Sequence, residues 1–232
     1  MSEGKARLLN FHILTLFPEM IKQACEHSIL KRAAAAGLIG VNCINIRDFA
    51  VNKHGQVDDA PYGGGAGMVM MAKPICDAFM SVGKSHARFV YLSPQGKVFE
   101  QSMAAEFSKE KDIILLCGHY EGIDQRVLDI LKPEEVSVGD YILTGGELAA
   151  LIVIDAVARL VPGVLGANES MDCESFSDRL NGLLEYPQYT RPPTFQGLEV
   201  PPVLLSGHHE QIEAWRKNKS IEITKVKRPD MV

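Results

Sequence analysis

Three glycine-rich segments bring together side chains that could do chemistry. They are residues 92–96 (LSPQG), 118–122 (GHYEG) and 138–147 (VGDYILTGGE). Backbone amides that glycine leaves accessible can recognise the edge of a purine ring or a ribose. One such segment alone is more often an ordinary tight turn. Three within about sixty residues indicate one pocket for one small molecule.

The elements that must position these segments are predicted strands. Each segment is expected to follow a short apolar run, and residues 87–92 and 112–117 have the length and composition of buried strands. In open α/β sheets, ligands bind in loops at the carboxyl ends of neighbouring strands. The three segments are therefore expected to meet at one edge of a sheet.

A helix predicted over residues 147–161 follows the third segment. Glu147, Leu151, Asp155 and Arg159 recur on one face at intervals of four. The spacing favours an Asp155–Arg159 ion pair on a solvated stripe. The alternative is an arginine turned towards a pocket, where it could stabilise developing negative charge.

Two carboxylates lie in the polar stretch over residues 166–182. Asp172 and Glu174 are accompanied there by Ser170, Ser175 and Ser177. A carboxylate in a mobile segment could act as a general base once substrate binds. Most carboxylates in such stretches are simply solvated, so the position alone does not distinguish a general base from a solvated side chain.

Strand and helix patterns alternate along most of the chain. Strands are predicted at residues 8–17 and 41–46, with one helix over 18–36 between them and Gly37 as its stop. The alternation continues through residues 88–131. This pattern predicts an α/β fold, a mostly parallel sheet with helices on both faces.

Composition narrows the class of protein. The net charge is −5, so any nucleic-acid site must be a local patch. The five cysteines show no zinc spacing, and an odd number suits a reducing compartment. No signal peptide or membrane-spanning segment is recognised. We expect a cytoplasmic protein without a membrane association.

The residue composition of the chain changes after residues 162–163. We expect a main domain over residues 1–165, a flexible linker or lid over 166–182 and a small, mainly helical domain over 183–232. The last part contains an amphipathic helix predicted at 207–217 and a basic tail at 225–228. Before this, the glycine-rich loop at 47–67 is long enough to suggest a function.

The motifs together resemble the bacterial tRNA (guanine-N1)-methyltransferases, of the knotted SPOUT-type superfamily. The resemblance runs in order through nearly the whole chain, in LFPEM (16–20), RDF (47–49), VDDAPYGGGAGMVM (57–70), YLSPQG (91–96), CGHYEGIDQRV (117–127), SVGDYILTGGEL (137–148), PGVLG (162–166), YPQYTRP (186–192) and VPPVLLSGHH (200–209). It implies a trefoil knot in the main domain, which is a rare topology. It also implies an obligate homodimer that shares its active site between subunits.

The resemblance implies that S-adenosylmethionine binds in the three glycine-rich segments. The implied contacts are Tyr91, Leu92, Ser93, Pro94, Gly118, Tyr120, Glu121, Gly122, Ser137, Val138, Gly139, Asp140, Tyr141, Ile142, Leu143, Gly145 and Gly146. The implied reaction is methylation of N1 of the guanosine that follows the anticodon, at position 37 of tRNA. Its products are N1-methylguanosine and S-adenosylhomocysteine.

The same resemblance assigns the catalytic groups. Arg159 matches the arginine that stabilises charge on guanine O6, and Glu174 occupies the place of the aspartate that removes the N1 proton. The glutamate departs from the family pattern. Asp58, Asp172 and Ser175 are implied on the substrate side, with Asp172 as a second candidate base. Activity is implied to depend on Mg²⁺, although no protein ligand set for a metal is identifiable.

Two other functions stay open at this point. A knotted methyltransferase could act on another RNA group, such as a ribose hydroxyl, although the Glu174 and Arg159 pair argues for a more acidic target. A non-catalytic RNA-binding module could also keep the cofactor fold. Phosphate contacts are expected from Lys217, Lys219, Lys225, Lys227 and Arg228.

Overall fold

A five-stranded parallel sheet organises the first part of the molecule. The computed structural model describes residues 8–165 and 173–232. The sheet order is β2-β1-β6-β5-β7, and every neighbouring pair is parallel. Its strands are β1 (Leu9–Thr15), β2 (Ile39–Asn45), β5 (Arg88–Val98), β6 (Asp112–Cys117) and β7 (Glu134–Ser137); β3 (Asp58–Asp59) and β4 (Val69–Met70) form a separate antiparallel pair.

Helices cover both faces of the sheet. All six residues of β6 are buried, and its successive side chains enter two different apolar clusters. One cluster contains residues of α1 (Pro18–Cys25), α2 (Ser28–Ala35), α4 (Gln101–Phe107) and α6 (Glu147–Ala158). The other contains residues of α3 (Ala72–Val82) and α5 (Gln125–Leu131). The predicted α/β fold with a mostly parallel sheet is thereby confirmed.

Two local predictions were wrong. The single helix expected over residues 18–36 is two helices, because His27 is extended and Ser28 has a φ of +47°. No glycine or proline marks this break. The third glycine-rich segment follows a strand, β7, that is mostly polar, with the sequence EEVS. A polar strand is possible there because it is the edge strand, and its Glu134 binds Arg88 at 2.6 Å.

A second compact unit begins at Gly166. Its described part contains the hairpin β8 (Thr194–Phe195) and β9 (Leu198–Glu199), then α7 (Pro202–Leu205) and α8 (His209–Lys227). Helix α8 runs ten residues beyond the predicted end at 217, so most of the expected basic tail is its last turn. Among the described residues no helix has the length and apolarity needed to cross a membrane.

Ser220 and Thr224 attach α8 to the preceding chain. The Ser220 hydroxyl donates to the Leu184 carbonyl at 2.6 Å, and the Leu184 N–H donates to the Thr224 hydroxyl at 3.0 Å. The separate linker over residues 166–182 stays a prediction. Of its described part, Phe176 donates its N–H to the Leu183 carbonyl at 2.9 Å. The stretch around residue 176 is thus joined to the chain that packs on α8.

Candidate functional site

The three glycine-rich segments surround one cavity at the carboxyl edge of the sheet. Its volume is about 460 Å³. Every residue that the resemblance assigned to the cofactor lines it except Asp140. Five lining residues were not among those assignments: Gln95, His119, Val136, Thr144 and Ala149. Because β6, β5 and β7 are parallel neighbours, their carboxyl ends deliver the three segments to one place.

The first segment is a bulge within β5. Leu92 and Lys97 both pair with Val136 of β7, so the residues between them loop out of the ladder. Gly96 then passes directly over the neighbouring strand, where a Cβ atom would overlap the Glu135–Val136 peptide. Glycine is required at this position because the backbones touch.

The second segment is held by the long loop that precedes α3. Met70 donates its N–H to the Gly122 carbonyl at 3.0 Å, and Glu121 donates its N–H to the Met68 carbonyl at 3.0 Å. Tyr120 has a φ of +59°, a conformation that is uncommon without glycine. These bonds connect β3 and β4, and with them Asp58, to the segment. Asp58 itself does not line the cavity.

The third segment folds back onto the second. The Gly146 N–H donates to the Gly118 carbonyl at 2.9 Å, and His119 and Gly145 form an isolated antiparallel bridge. A Cβ atom on Gly146 would lie 2.6 Å from the Cα of Cys117. The glycines therefore bring two stretches of backbone into contact at the cavity wall.

A hydrogen-bond chain that the sequence reasoning missed lies beside the cavity. The Thr15 hydroxyl donates to Glu147 Oε1 at 2.5 Å, and Glu147 Oε2 is 2.7 Å from Nε2 of His119. The side chain of Glu147 is 2% exposed. Thr15 and Glu147 are 132 residues apart, so no local pattern pairs them. The one available sequence signal was a glutamate at the start of a mostly apolar helix. A carboxylate buried together with such a helix needs hydrogen-bond partners.

The buried acidic groups around this chain hold their protons at neutral pH. Burial raises the pKa of Tyr91 to about 12, and nearby Glu135 adds to the effect. Burial also raises the pKa of Cys117 well above its ordinary value, with Glu147 contributing. Because a protonated thiol is a poor nucleophile, Cys117 is suited to packing rather than to covalent catalysis.

Comparison with known proteins assigns the family. The profile of the family described as tRNA (Guanine-1)-methyltransferase TrmD matches residues 9–232. The chain belongs to this family. A curated tRNA (guanine-N(1)-)-methyltransferase from Clostridioides difficile is 55% identical over 96% of this chain and 97% of its own length. Relatives of the same name from Caldanaerobacter subterraneus and Lachnospira eligens are 58% and 54% identical, each over 96% of this chain and over 91% and 94% of their own lengths. The resemblance predicted from the sequence is confirmed.

Arg159 lies at the carboxyl end of α6 as its C-cap. It is partly buried, and its backbone N–H donates to the Asp155 carbonyl at 3.2 Å. Within the described residues these two side chains form no salt bridge with each other, so the ion pair favoured by spacing is wrong. Asp155 instead borders a shallow apolar depression with Leu148 and Ile152.

Glu174 and Ser175 belong to the second unit. Both are partly buried, and the Ser175 hydroxyl accepts a hydrogen bond from the Glu185 N–H at 2.9 Å. The Glu174 carbonyl accepts from the Ser177 N–H at 3.1 Å, so a short turn presents this glutamate. Asp172, the second candidate base, lies outside the described residues. The catalytic roles of these residues stay predictions.

The structure places no evident metal site among residues 8–165 and 173–232. No group of three or more His, Cys, Asp or Glu side chains in these ranges is arranged to hold an ion. The five cysteines are all free thiols. The site offered by the described residues is therefore a cavity bounded by backbone and a few polar side chains.

Proposed function

We propose that the protein transfers a methyl group from S-adenosylmethionine to N1 of the guanosine that follows the anticodon, at position 37 of tRNA. The observation that carries the proposal is the combination of family membership over residues 9–232 with one cavity enclosed by the three family segments. The relatives are named for methylation at guanine N1 of tRNA, and they align over nearly the whole chain.

The cavity suits a nucleoside cofactor. Its volume of about 460 Å³ is in the range of small-molecule sites. Gly118, Gly122 and Gly139 line it without side chains, so an adenine ring and a ribose can approach the backbone of the cavity wall closely. S-adenosylmethionine supplies an electrophilic methyl group on a sulfonium. The cofactor contacts assigned from the sequence, Asp140 included, are part of this proposal.

Two side chains handle the proton and the charge of the guanine. N1 carries a proton at neutral pH and must lose it before its lone pair can attack a methyl group. Glu174 accepts that proton as a carboxylate base, and Arg159 stabilises the negative charge that builds on O6. A glutamate is one methylene longer than the family's aspartate, so its carboxylate acts from a shifted position. Asp58 and Ser175 contribute on the substrate side, and Mg²⁺ supports activity without a dedicated protein site.

An apolar surface supports the proposed homodimer. Leu148 and Ile152 of α6 are 48% and 44% exposed, and with Tyr141 and Leu143 they border a depression of about 610 Å³. A cluster of exposed large apolar side chains is typical of a surface that another chain covers. In the proposed dimer, each active site uses residues of both subunits. We also propose that the main domain of each subunit contains the trefoil knot.

The second unit is proposed to bind tRNA. Helix α8 carries Lys217 and Lys219, and its last turn carries Lys225 and Lys227. Lysines along one helix provide phosphate contacts, which makes binding dependent on salt. The net charge of the whole chain is negative, so these lysines are expected to supply the local positive charge that attracts tRNA. We place the enzyme in the cytoplasm with its tRNA substrate.

Methyl transfer from labelled S-adenosylmethionine tests the proposal. Two tRNA transcripts differ only at the residue after the anticodon, guanosine or adenosine. We expect label on the guanosine transcript alone, at N1 of the base after nucleoside digestion. Glu174→Gln and Arg159→Ala are expected to lower the rate about 100-fold or more, the usual scale for a general base or a charge-stabilising group. Glu199→Gln, an exposed change in the same second unit as Glu174, serves as the control.

Other results would redirect the assignment. Label on a ribose would favour the other class of knotted methyltransferase. Cofactor binding without transfer to either transcript would favour a non-catalytic RNA-binding module. Full activity of Glu174→Gln beside an inactive Asp172→Asn would move the base to Asp172.

A further inference from the structure

We propose that Thr15, Glu147 and His119 act as a positioning chain for the cofactor. The inference rests on the proposed function, since it takes S-adenosylmethionine as the ligand of the cavity. It adds residues that the motif comparison did not assign: His119 was given no role, and Thr15 and Glu147 lie outside the cofactor contacts.

The direction of the hydrogen bonds is determined at the Thr15 end. The Thr15 hydroxyl accepts a hydrogen bond from the Phe17 N–H at 2.9 Å, which leaves its proton for Glu147 Oε1 at 2.5 Å. Glu147 is also the first residue of α6, where a negative charge is favourable. A carboxylate that accepts on Oε1 is best completed by a donor on Oε2. His119 Nε2 at 2.7 Å supplies that donor, and Nδ1 remains as the ring's second hydrogen-bonding atom.

The chain determines where the second segment lies. The His119 ring packs on Phe17 at a centroid distance of 5.0 Å, and its backbone N–H contacts the sulfur of Met70 at 3.3 Å. Gly145 leaves room for the ring, because a Cβ atom there would overlap it. The His119 ring thus adds a side-chain link, through Glu147 and Thr15, between segments 118–122 and 138–147 and the end of β1. Loss of the ring should loosen both cavity walls, which the backbone hydrogen bonds still hold.

The His119 ring and backbone contact groups from several elements. Among the described residues, the charged group in contact with its ring is Glu147 of α6. The end of β1 contributes Phe17 and β4 contributes Met70, neither of which is charged. In its own segment lie Tyr120, with a centroid distance of 6.2 Å, and Glu121, whose carboxylate lies against Gly67.

A second histidine–carboxylate pair provides a matched control. His12 also contacts a buried carboxylate through Nε2, that of Asp112, at 3.0 Å. Asp112 is the first residue of β6, and neither residue of this pair lines the cavity. His12→Gln and His119→Gln therefore make the same chemical change at a pair away from the cavity and at a pair beside it. Glutamine keeps an N–H donor near the position of Nε2.

Calorimetric binding of S-adenosylmethionine and S-adenosylhomocysteine at neutral pH tests the inference. The full-length protein is used without tRNA. His119→Ala should weaken binding of both ligands about tenfold, the scale of one lost charge-assisted hydrogen bond, and His119→Gln should restore most of it. His12→Gln should leave both affinities unchanged, and melting curves confirm that each variant is folded.

Three results would overturn the inference. One is wild-type affinity in His119→Ala. Another is binding by His119→Gln that is as weak as binding by His119→Ala. The third is a matching change in His12→Gln, which would show a general effect of histidine loss on the fold. A wild-type protein that binds neither ligand would overturn the proposed function itself, which separates the two failures.

Discussion

Two histidine–carboxylate pairs lie near opposite ends of β6, and they differ in their surroundings. At the amino edge of the sheet, where Asp112 begins β6, the side chains of His12 and Asp112 are each about 10% exposed, and the buried Nδ1 of His12 has no hydrogen-bond partner among the described residues. At the carboxyl edge, Glu147 is more deeply buried, and His119, 14% exposed, lines the cavity. The chemistry of the pairs is alike. Strand direction decides which one can meet a ligand, because loops that bind ligands gather at the carboxyl edge.

The amino-edge pair is built as a stabilising cluster. Asn10 donates to Asp112 Oδ1 at 3.2 Å, and Lys84 lies 3.9 Å from the same oxygen. Burial acts to raise the pKa of Asp112, but the hydrogen bonds from His12 and Asn10 and the charge of Lys84 outweigh it. The pKa therefore lies below its ordinary value. Among the described residues no lysine or arginine forms a salt bridge with the carboxyl-edge pair, and its His119 ring borders the cavity, where a ligand can meet it.

The largest effect on cofactor binding and stability is expected when alanine replaces a glycine that packs against each pair. A Cβ atom on Gly145 would overlap the His119 ring and approach Glu147 Oε2 to 2.9 Å, whereas a Cβ atom on Gly40 would lie 2.5 Å from Asn10 Oδ1. Gly145→Ala should weaken cofactor binding more than about tenfold and destabilise the protein by about 1–3 kcal/mol. Gly40→Ala should reduce stability only. Calorimetric binding with denaturant unfolding distinguishes them, and weakened binding in both would remove the distinction between the edges.

A smaller effect is expected from Thr15→Val, which keeps the shape of the side chain. The change removes a donor to Glu147 and the acceptor of the Phe17 N–H. Leaving these buried groups unpaired should cost about 1–3 kcal/mol of unfolding free energy and raise the Kd for the cofactor a few-fold. Urea unfolding and binding titrations measure the two quantities. A variant that loses stability but keeps wild-type affinity would show that Thr15 supports the fold without setting the cavity.

The smallest effect is expected on protein stability at low pH. Because the pKa of Asp112 is lower in the folded than in the unfolded protein, its stabilising contribution is complete above the unfolded value of about 3.9 and is lost as the pH falls through the folded value. Asp112→Asn should lower stability at neutral pH. The stability difference between variant and wild type should then narrow below about pH 4. Urea unfolding over that range tests this, and a difference that stays constant with pH would mean that Asp112 acts through its shape alone.

Much of the candidate site was predictable because it is built from backbone. The strands at 87–92 and 112–117 are apolar runs, and glycines follow them directly, so local pattern and parallel order together place two of the three walls. The third wall follows β7, whose polar residues carry no strand signal; the glycines predicted the segment, but nothing in the sequence predicted the strand before it. The break between α1 and α2 was missed because no glycine or proline marks it. The full length of α8 was missed because residues 225–228 were interpreted as a basic tail, although Pro229 marks the end of the helix.

By itself, the sequence determined the fold class, the family and the segments that surround the cavity, because these follow from apolar periodicity, glycine positions and motif order. Only the tertiary structure decided which distant side chains complete the wall. Thr15 and Glu147 are 132 residues apart, and their hydrogen bond exists because the sheet brings the end of β1 beside the start of α6. Burial then makes that partnership necessary, since a carboxylate removed from water needs donors close at hand.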